Sequence, residues 1–430
     1  MFRADTLAEW LSFIEAQHPR GEAGIELGLE RVRQVLAAMG LSPRLPVPVV
    51  TVAGTNGKGS SVAMLEAVLV AAGHRVGAYT SPHLLRYNER VRLDGHPVAD
   101  ELLVRGFARV EAARGGIPLT YFEFGTLAAL SVMVEAQADV AILEVGMGGR
   151  LDAVNVVDAD AALITNVALD HVEWLGEDRE AIGREKAGIL RAGQWTVLAE
   201  ADPPHSVLAQ AERLGLRPWR RGRDFDLARS ATGWIWTGPQ GQYLLPLPAL
   251  AGAHQLDNAA GVVMLLEGLR GRLPWTIEHL HVGLRTVRHA GRLQCLEQAG
   301  VPVWIDVAHN PAGVEALARA MGERPAAGRT LAVFSALADK DAGGMARAIA
   351  GQVNAWYVAG LPGPRGRKAD ALADQLRQAG LPVAGAWPCP ATAYNAAIRE
   401  AGADDRLLVF GSFLCVADIL NHIHSLDPGA

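Results

Sequence analysis

From Val47 onward, short continuous apolar runs alternate with longer stretches whose apolar residues recur at helical spacing. "VPVVTVAG" (47–54) is short and β-branched, which predicts a buried strand. "SSVAMLEAVLVAAGH" (60–74) predicts a helix closing at Gly73. "RVGAYTS" (75–81) is again strand-like. "ADVAILEVG" (138–146) and "ADAALITNV" (159–167) lack polar alternation, the pattern of strands covered on both faces. Such a βαβ rhythm predicts a mostly parallel sheet layered with helices.

The rhythm breaks between about Pro204 and Pro248, where "RRGRDFDLARSATGWIWTGPQGQYLLPLP" predicts short antiparallel strands joined by a Gly-Pro turn. "HQLDNAAGVVMLLEGL" (254–269) resumes as a helix. "RTVRHAGRLQ" (285–294) turns basic and turn-like, and a second series follows: "VPVWIDVA", "TLAVFSAL", "AWYVAG", "PVAGAW" and "RLLVFGSF", most with an alanine-rich helical stretch behind them. The expected fold is α/β. It has a P-loop N-terminal domain (1–288) with a mostly parallel sheet plus a small antiparallel sheet, and a C-terminal Rossmann-like α/β domain (289–430) of about five strands.

Composition narrows the class. Of 430 residues, half are apolar and a fifth charged, as in globular proteins with large cores. The net charge of −6 gives no sign of a nucleic-acid surface. Cys295, Cys389 and Cys415 are far apart and form no C-x-x-C, which fits reduced structural thiols. The N-terminal "MFRADTLAEWLSFIE" has no signal-peptide core, and no apolar run reaches the roughly 18 residues of a membrane span. A cytoplasmic protein without membrane or nucleic-acid partners is expected.

Candidate chemistry concentrates in three places. "TVAGTNGKGSS" (51–61) departs from G-x-x-x-x-G-K-[ST] by an extra glycine between Lys58 and Ser60, yet it follows a buried strand and opens a helix, where a phosphate loop must sit. Gly54, Gly57 and Gly59 let backbone N–H groups turn toward an anion, and the helix N-terminus adds its dipole. Lys58 can reach terminal phosphates, and a hydroxyl at Ser60 or Ser61 lies near a Mg²⁺ position. Glu144, at the tip of a buried strand, is a hard oxygen donor suited to Mg²⁺. His171, after a strand end, and Lys186, in an amphipathic stretch, are by spacing alone an ordinary loop histidine and a solvated helix lysine.

"VAGTNGKGS", "SPHLLRYNERVR", "TYFEFGTLAAL", "LEVGMGGRLDAVNVV", "LDHVEWLG", "GREKAGI", "IDVAHNP" and "GSF" occur in that order, with "ELGLERV" near the start. Together they resemble the folylpolyglutamate synthases of the Mur ligase superfamily, most closely the bacterial bifunctional dihydrofolate synthase/folylpolyglutamate synthases. The resemblance spans nearly the whole chain, and that family's phosphate loop carries the extra glycine.

It implies an ATP-dependent ligase adding L-glutamate to dihydropteroate and to tetrahydrofolates through an acyl phosphate. It implies ATP bound by Thr55, Asn56, Gly57, Lys58, Gly59 and Ser60, with Asn258, Arg292, Asp306 and His309. Two Mg²⁺ ions would be held among Ser81, Glu144, His171, Lys186 and Ser60, with Lys186 N-carboxylated. Lys58, His171 and Lys186 would be the catalytic groups. The dihydropteroate site would comprise Glu26, Leu27, Gly28 and Leu29; Thr120, Tyr121, Phe122 and Glu123; and Leu151, Asp152 and Ala153. A monomer is expected. In one departure, relatives often carry proline before the linker Gly-Arg, where this chain has His289 and Ala290. A Mur-type peptidoglycan ligase, a ligase with only one of the two folate activities, and a nucleotide-binding switch without ligase chemistry are the alternatives that sequence leaves open.

Overall fold

A computed structural model describes residues 2–17 and 26–426. The chain forms two compact units. The first comprises Met1–Ala168, Val172–Ala249 and Leu256–Val287; the second comprises Leu169–His171, Leu250–Gln255 and Arg288–Ala430.

The first unit is built on an eight-stranded sheet. Its spatial order is His96–Pro97, Val91–Leu93, Val76–Tyr79, Val140–Glu144, Val49–Ala53, Ala161–Ile164, Trp195–Leu198 and Trp219–Arg220. The six strands from Val76–Tyr79 onward run parallel, and the two at the other edge are antiparallel. Register places Glu144 beside Val52 and Leu143 beside both Thr51 and Tyr79, so these strands end at one level. The central strands Val49–Ala53 and Val140–Glu144 are buried throughout, which explains their unbroken apolar runs.

Two helices that cover this sheet, Lys58–Ala71 and Tyr121–Glu135, bury residues on nearly all sides. An all-round apolar helix belongs in a protein interior. A three-stranded antiparallel sheet, Gly241–Leu245, Gly233–Gly238 and Asp226–Ser230, is appended, with Trp236 Nε1 donating to Ala260 O. The antiparallel strands expected after Pro204 therefore begin only at Asp226, because His205–Arg213 is a helix. Its start is capped from a distance: the Glu180 carboxylate accepts from His205 N (2.9 Å) and Ser206 N (2.7 Å). A cap supplied 25 residues away leaves no local signature.

The second unit carries a six-stranded sheet in the order Gln294–Gln298, Val301–Ile305, Arg406–Phe410, Thr330–Phe334, Ala355–Ala359 and Val383–Trp387. Five of these are the strands expected from sequence, and all five are parallel. The sixth, Gln294–Gln298, pairs antiparallel at the edge within the stretch that sequence reads as a turn. Its core gathers Phe334, Trp356 and Phe410 around Met321, Met345 and Leu408. No helix among the described residues is long and apolar enough to cross a membrane.

Candidate active site

In the first unit the chemistry collects where the parallel strands end, the usual ligand position of open α/β sheets. Strand Val49–Ala53 runs into Gly54, and the helix that begins at Lys58 has Gly57 as its N-cap with φ +85°. A side chain at Gly57 would be strained, and its Cβ would fall 2.4 Å from Asn258 Oδ1. The loop thus fits tightly against Asn258, on the helix His254–Leu269. At Gly54 a Cβ would sit 1.8 Å from Thr165 Oγ1.

Residues 165–168 brace the loop from the neighbouring strand end. Thr55 N donates to Asn166 O (2.9 Å), Asn56 N to Asn166 Oδ1 (3.0 Å), and Thr165 Oγ1 to Asn56 O (2.6 Å). Thr55 Oγ1 donates to Ala168 O and accepts from Ala168 N, both at 3.0 Å. Lys58 Nζ folds over this loop, donating to Gly54 O (3.0 Å) and Thr55 O (3.1 Å). Ser60 and Ser61 are buried in the first helical turn, and Ser61 Oγ has no hydrogen-bond partner there. An orphaned buried hydroxyl beside a positive helix end fits a group kept for phosphate or a hydrated cation.

Glu144 closes the next strand, is 4% exposed, and accepts from Ser81 N at 3.2 Å. Ser81 itself lies just beyond Val76–Tyr79. A buried carboxylate and a serine so placed suit Mg²⁺, which takes few protein oxygens and keeps waters and phosphates. Among the described residues, no three His, Cys, Asp or Glu side chains form a ready-made metal cage. Lys186 is 3% exposed, near the end of the helix Arg179–Ala187. That helix packs against Gly149, where a Cβ would lie 3.1 Å from Lys186 O.

Asp152 is fully committed to backbone. Its carboxylate accepts from Met147 N (2.8 Å) and Val154 N (3.0 Å), so it pins the loop that follows Glu144. Burial raises its pKa to about 6, against the opposing pull of these N–H groups and of Lys58. Leu151 and Ala153 flank it, and Ala153 is buried. Phe122 lies across from Tyr79, ring centroids 5.9 Å apart. Thr120 and Glu123 form a capping box at the start of Tyr121–Glu135, and Tyr121 meets Tyr87 edge-on at 5.8 Å. Of the Glu26–Leu29 segment, Leu29 joins the core and Glu26 pairs with Arg31.

The second unit contains His171, Arg292, Asp306 and His309. Asp306 accepts from Leu293 N (2.8 Å) and Ala308 N (2.7 Å), tying the Gly291–Leu293 turn to the strand end. Arg292 stands over the Phe413 ring, and His309 meets the same ring at 5.7 Å. Asp170, which the motif reading passed over, gathers Lys340 Nζ (2.5 Å), Asn310 Nδ2 (3.0 Å) and His309 Nε2 (3.5 Å). Burial pushes its carboxyl up, but the hydrogen bond and charge of His309, with Lys340 and His171, hold it far below the usual range. "DH" and "ADKD" were visible in the sequence, but nothing local joins residues 170 apart.

Two family models match the chain: "Mur ligase middle domain" over residues 52–266 and "Mur ligase, glutamate ligase domain" over residues 291–413. The dihydrofolate synthase/folylpolyglutamate synthase of Escherichia coli is 41% identical over 99% of this chain and 97% of its own length. The chain belongs to the dihydrofolate synthase/folylpolyglutamate synthase family of Mur ligases. That of Bacillus subtilis is 34% identical over 94% of this chain and 96% of its own.

Solved members of the family superpose closely. An Escherichia coli structure with DHPP and ADP gives a TM-score of 0.92 at 42% identity, covering 99% of this chain and all of its own. A second bifunctional enzyme, with Mn, AMPPNP and L-glutamate bound, gives 0.88 at 42% identity over 98% of each chain. As a family member the chain is an ATP-dependent ligase, and the folate-ligase family takes precedence over the peptidoglycan and switch alternatives.

Proposed function

We propose that this ligase joins L-glutamate to dihydropteroate, forming dihydrofolate, and to tetrahydrofolates, forming polyglutamates, with ATP as co-substrate. The observation that carries the reading is the phosphate loop with its extra glycine, braced by residues 165–168 beside the buried Glu144. The ligands of the solved relatives support it: ADP, AMPPNP, Mn, L-glutamate and DHPP.

Thr55 to Ser60 cradle the phosphates with backbone N–H groups and the helix N-terminus. Asn258 abuts this cradle. Lys58 Nζ exchanges its loop carbonyls for terminal phosphate oxygens. Arg292, Asp306 and His309 are the further nucleotide-binding groups that the family likeness assigns. Ser81 and Glu144, with His171, a carboxylated Lys186 and Ser60, would hold Mg²⁺, which when bound spreads the charge of the transferring phosphoryl group. Carboxylation removes the cost of a buried ammonium beside a cation and leaves an oxygen donor instead.

An oxygen of the acceptor's carboxylate attacks the γ-phosphorus in line, and ADP leaves. The glutamate amine, having lost a proton, attacks the acyl carbon; the amide bond forms and phosphate departs with the acceptor's oxygen. Lys58 serves by position and charge, and its worth is realised as the transferring group becomes more anionic. In this reading Leu27, Gly28 and Leu29, Tyr121 and Phe122, and Leu151–Ala153 would line an apolar slot with few polar groups, as a pterin and benzoate require.

The test is ADP release by purified protein with ATP, glutamate and either dihydropteroate or tetrahydrofolate. Multiple-turnover release is expected only when glutamate and one acceptor are both present. Sustained release with a UDP-muramyl precursor instead, or over many turnovers without glutamate, would contradict the reading.

A further inference from the structure

Arg31 makes a set of contacts that neither ATP binding nor the phosphoryl step requires. It sits at the start of the helix Glu30–Ala38, two residues after Leu29. Its guanidinium grips Glu123 with two prongs: Nε donates to Oε2 (3.2 Å) and Nη2 to Oε1 (2.8 Å). Nη2 also donates to the backbone carbonyl of Glu26 (2.8 Å), and Nη1 pairs with the Glu26 carboxylate. One side chain thus joins the Glu26 segment to Glu123, 92 residues from Arg31 itself.

Glu123 is equally committed. It is 3% exposed, its Oε2 accepts from Thr120 N (2.8 Å), and its own N–H donates to Thr120 Oγ1 (3.2 Å). Both of its carboxylate oxygens are engaged, by Arg31 and by the helix cap. Its capping box fixes the backbone that presents Tyr121 and Phe122. On the other side, residues 26–28 belong to no helix or strand, and the contact with Arg31 holds the Glu26 carbonyl.

We infer that Arg31, acting through Glu123 and Glu26, is a positioning residue for the acceptor. It fastens the 26–29 segment to the start of helix Tyr121–Glu135 so that two walls of the pterin slot keep a fixed separation. The inference rests on the functional reading above, and adds that acceptor recognition depends on a planar fork rather than on charge alone. A lysine supplies one point charge and cannot hold the Glu123 carboxylate and the Glu26 carbonyl in the same geometry.

Arg31→Lys keeps the charge opposite buried Glu123 and is the variant of choice. Its KM for dihydropteroate is expected to rise about tenfold, the scale of one lost charge-assisted hydrogen bond. Its KM for ATP and its kcat at saturating dihydropteroate should stay within about twofold, the signature of binding lost equally from ground state and transition state. Glu123→Gln keeps an acceptor for Thr120 N but loses the ionic partner, so it should show the same split. The double variant should be no worse than the single ones, because both remove one contact. Dihydropteroate binding by titration calorimetry, with melting temperature recorded alongside, gives a readout independent of turnover.

An unchanged dihydropteroate KM and Kd in Arg31→Lys, or ATP and acceptor KM rising together, would overturn the inference while leaving the functional reading intact. Should Arg31→Lys fold poorly, Arg31→Met with Glu123→Gln removes both charges and keeps the packing; normal acceptor affinity there would equally overturn it. Wild-type protein that neither binds nor consumes dihydropteroate would overturn the reading and the inference with it.

Discussion

Lys58 Nζ hydrogen-bonds two carbonyls of its own loop, so the side chain is already curled over the place where phosphates are proposed to lie. Lys58→Ala is expected to lower kcat by about 10²–10³-fold or more, the scale of losing one charge-stabilising donor. The cost to stability should be no more than about 1 kcal/mol, since the freed carbonyls can turn to water. Circular dichroism and ADP release measure the two; wild-type turnover would refute the role.

Lys186 should carry a CO₂ adduct, visible by carbon-13 NMR after equilibration with labelled bicarbonate, and lost in Lys186→Ala. Acetate should partly restore activity to that variant. Absence of a carbamate signal with nucleotide and Mg²⁺ present would count against it.

Asp152 yields a pH prediction. Its folded pKa of about 6 lies above the unfolded value of about 3.9, so the folded state holds this proton more tightly. Its contribution is therefore fully present below about pH 4 and is lost as pH rises through about 6, by about 2–3 kcal/mol. Denaturant titrations of wild type and Asp152→Asn between pH 4 and 7 should diverge in that direction. A constant difference would mean the carboxyl titrates normally. At this scale sequence was informative where chemistry and backbone coincide, as in the phosphate loop and at Glu144. Arg31, Asp170 and Lys340 were not legible, because their meaning lies in partners 92 to 170 residues away.

Among elements, the helix Arg179–Ala187 links stability to the site. Asp178 caps it, Oδ1 accepting from Ala181 N at 2.7 Å. Arg179 donates to Val167 O (2.9 Å) and Glu200 Oε1 (2.8 Å), and Val167 N donates to Glu200 Oε2 (3.1 Å). The helix carrying Lys186 is thereby tied to the segment that braces the phosphate loop. Asp178→Ala should cost about 1 kcal/mol in unfolding free energy, the usual worth of an N-cap. A melting curve identical to wild type would show the cap to be dispensable. Strands buried on both faces were legible because nothing interrupts their apolar runs. The helix His205–Arg213 was not, since Glu180 supplies its cap from another element. The edge strand Gln294–Gln298 was hidden by its alternation of half-buried and exposed residues next to a basic turn.

For the molecule as a whole, both model matches and full-length relatives make this a two-part amide ligase. Folate extension places the reacting carboxylate one glutamate farther from the pterin than dihydropteroate does. A pterin in a second position is then needed for the same chemistry. Asp152→Ala should accordingly lower kcat/KM for dihydropteroate more than for tetrahydrofolate; equal loss on both would mean a shared pterin position. The central claim is that the acceptor's carboxylate is activated by phosphorylation and then captured by glutamate. It is tested most directly with dihydropteroate labelled with oxygen-18 in its carboxylate, incubated with protein, ATP, Mg²⁺ and glutamate. Mass spectrometry of the products should find one labelled oxygen in the released phosphate and the acceptor heavier by one glutamyl residue. Unlabelled phosphate, or an acceptor of unchanged mass, would contradict the account.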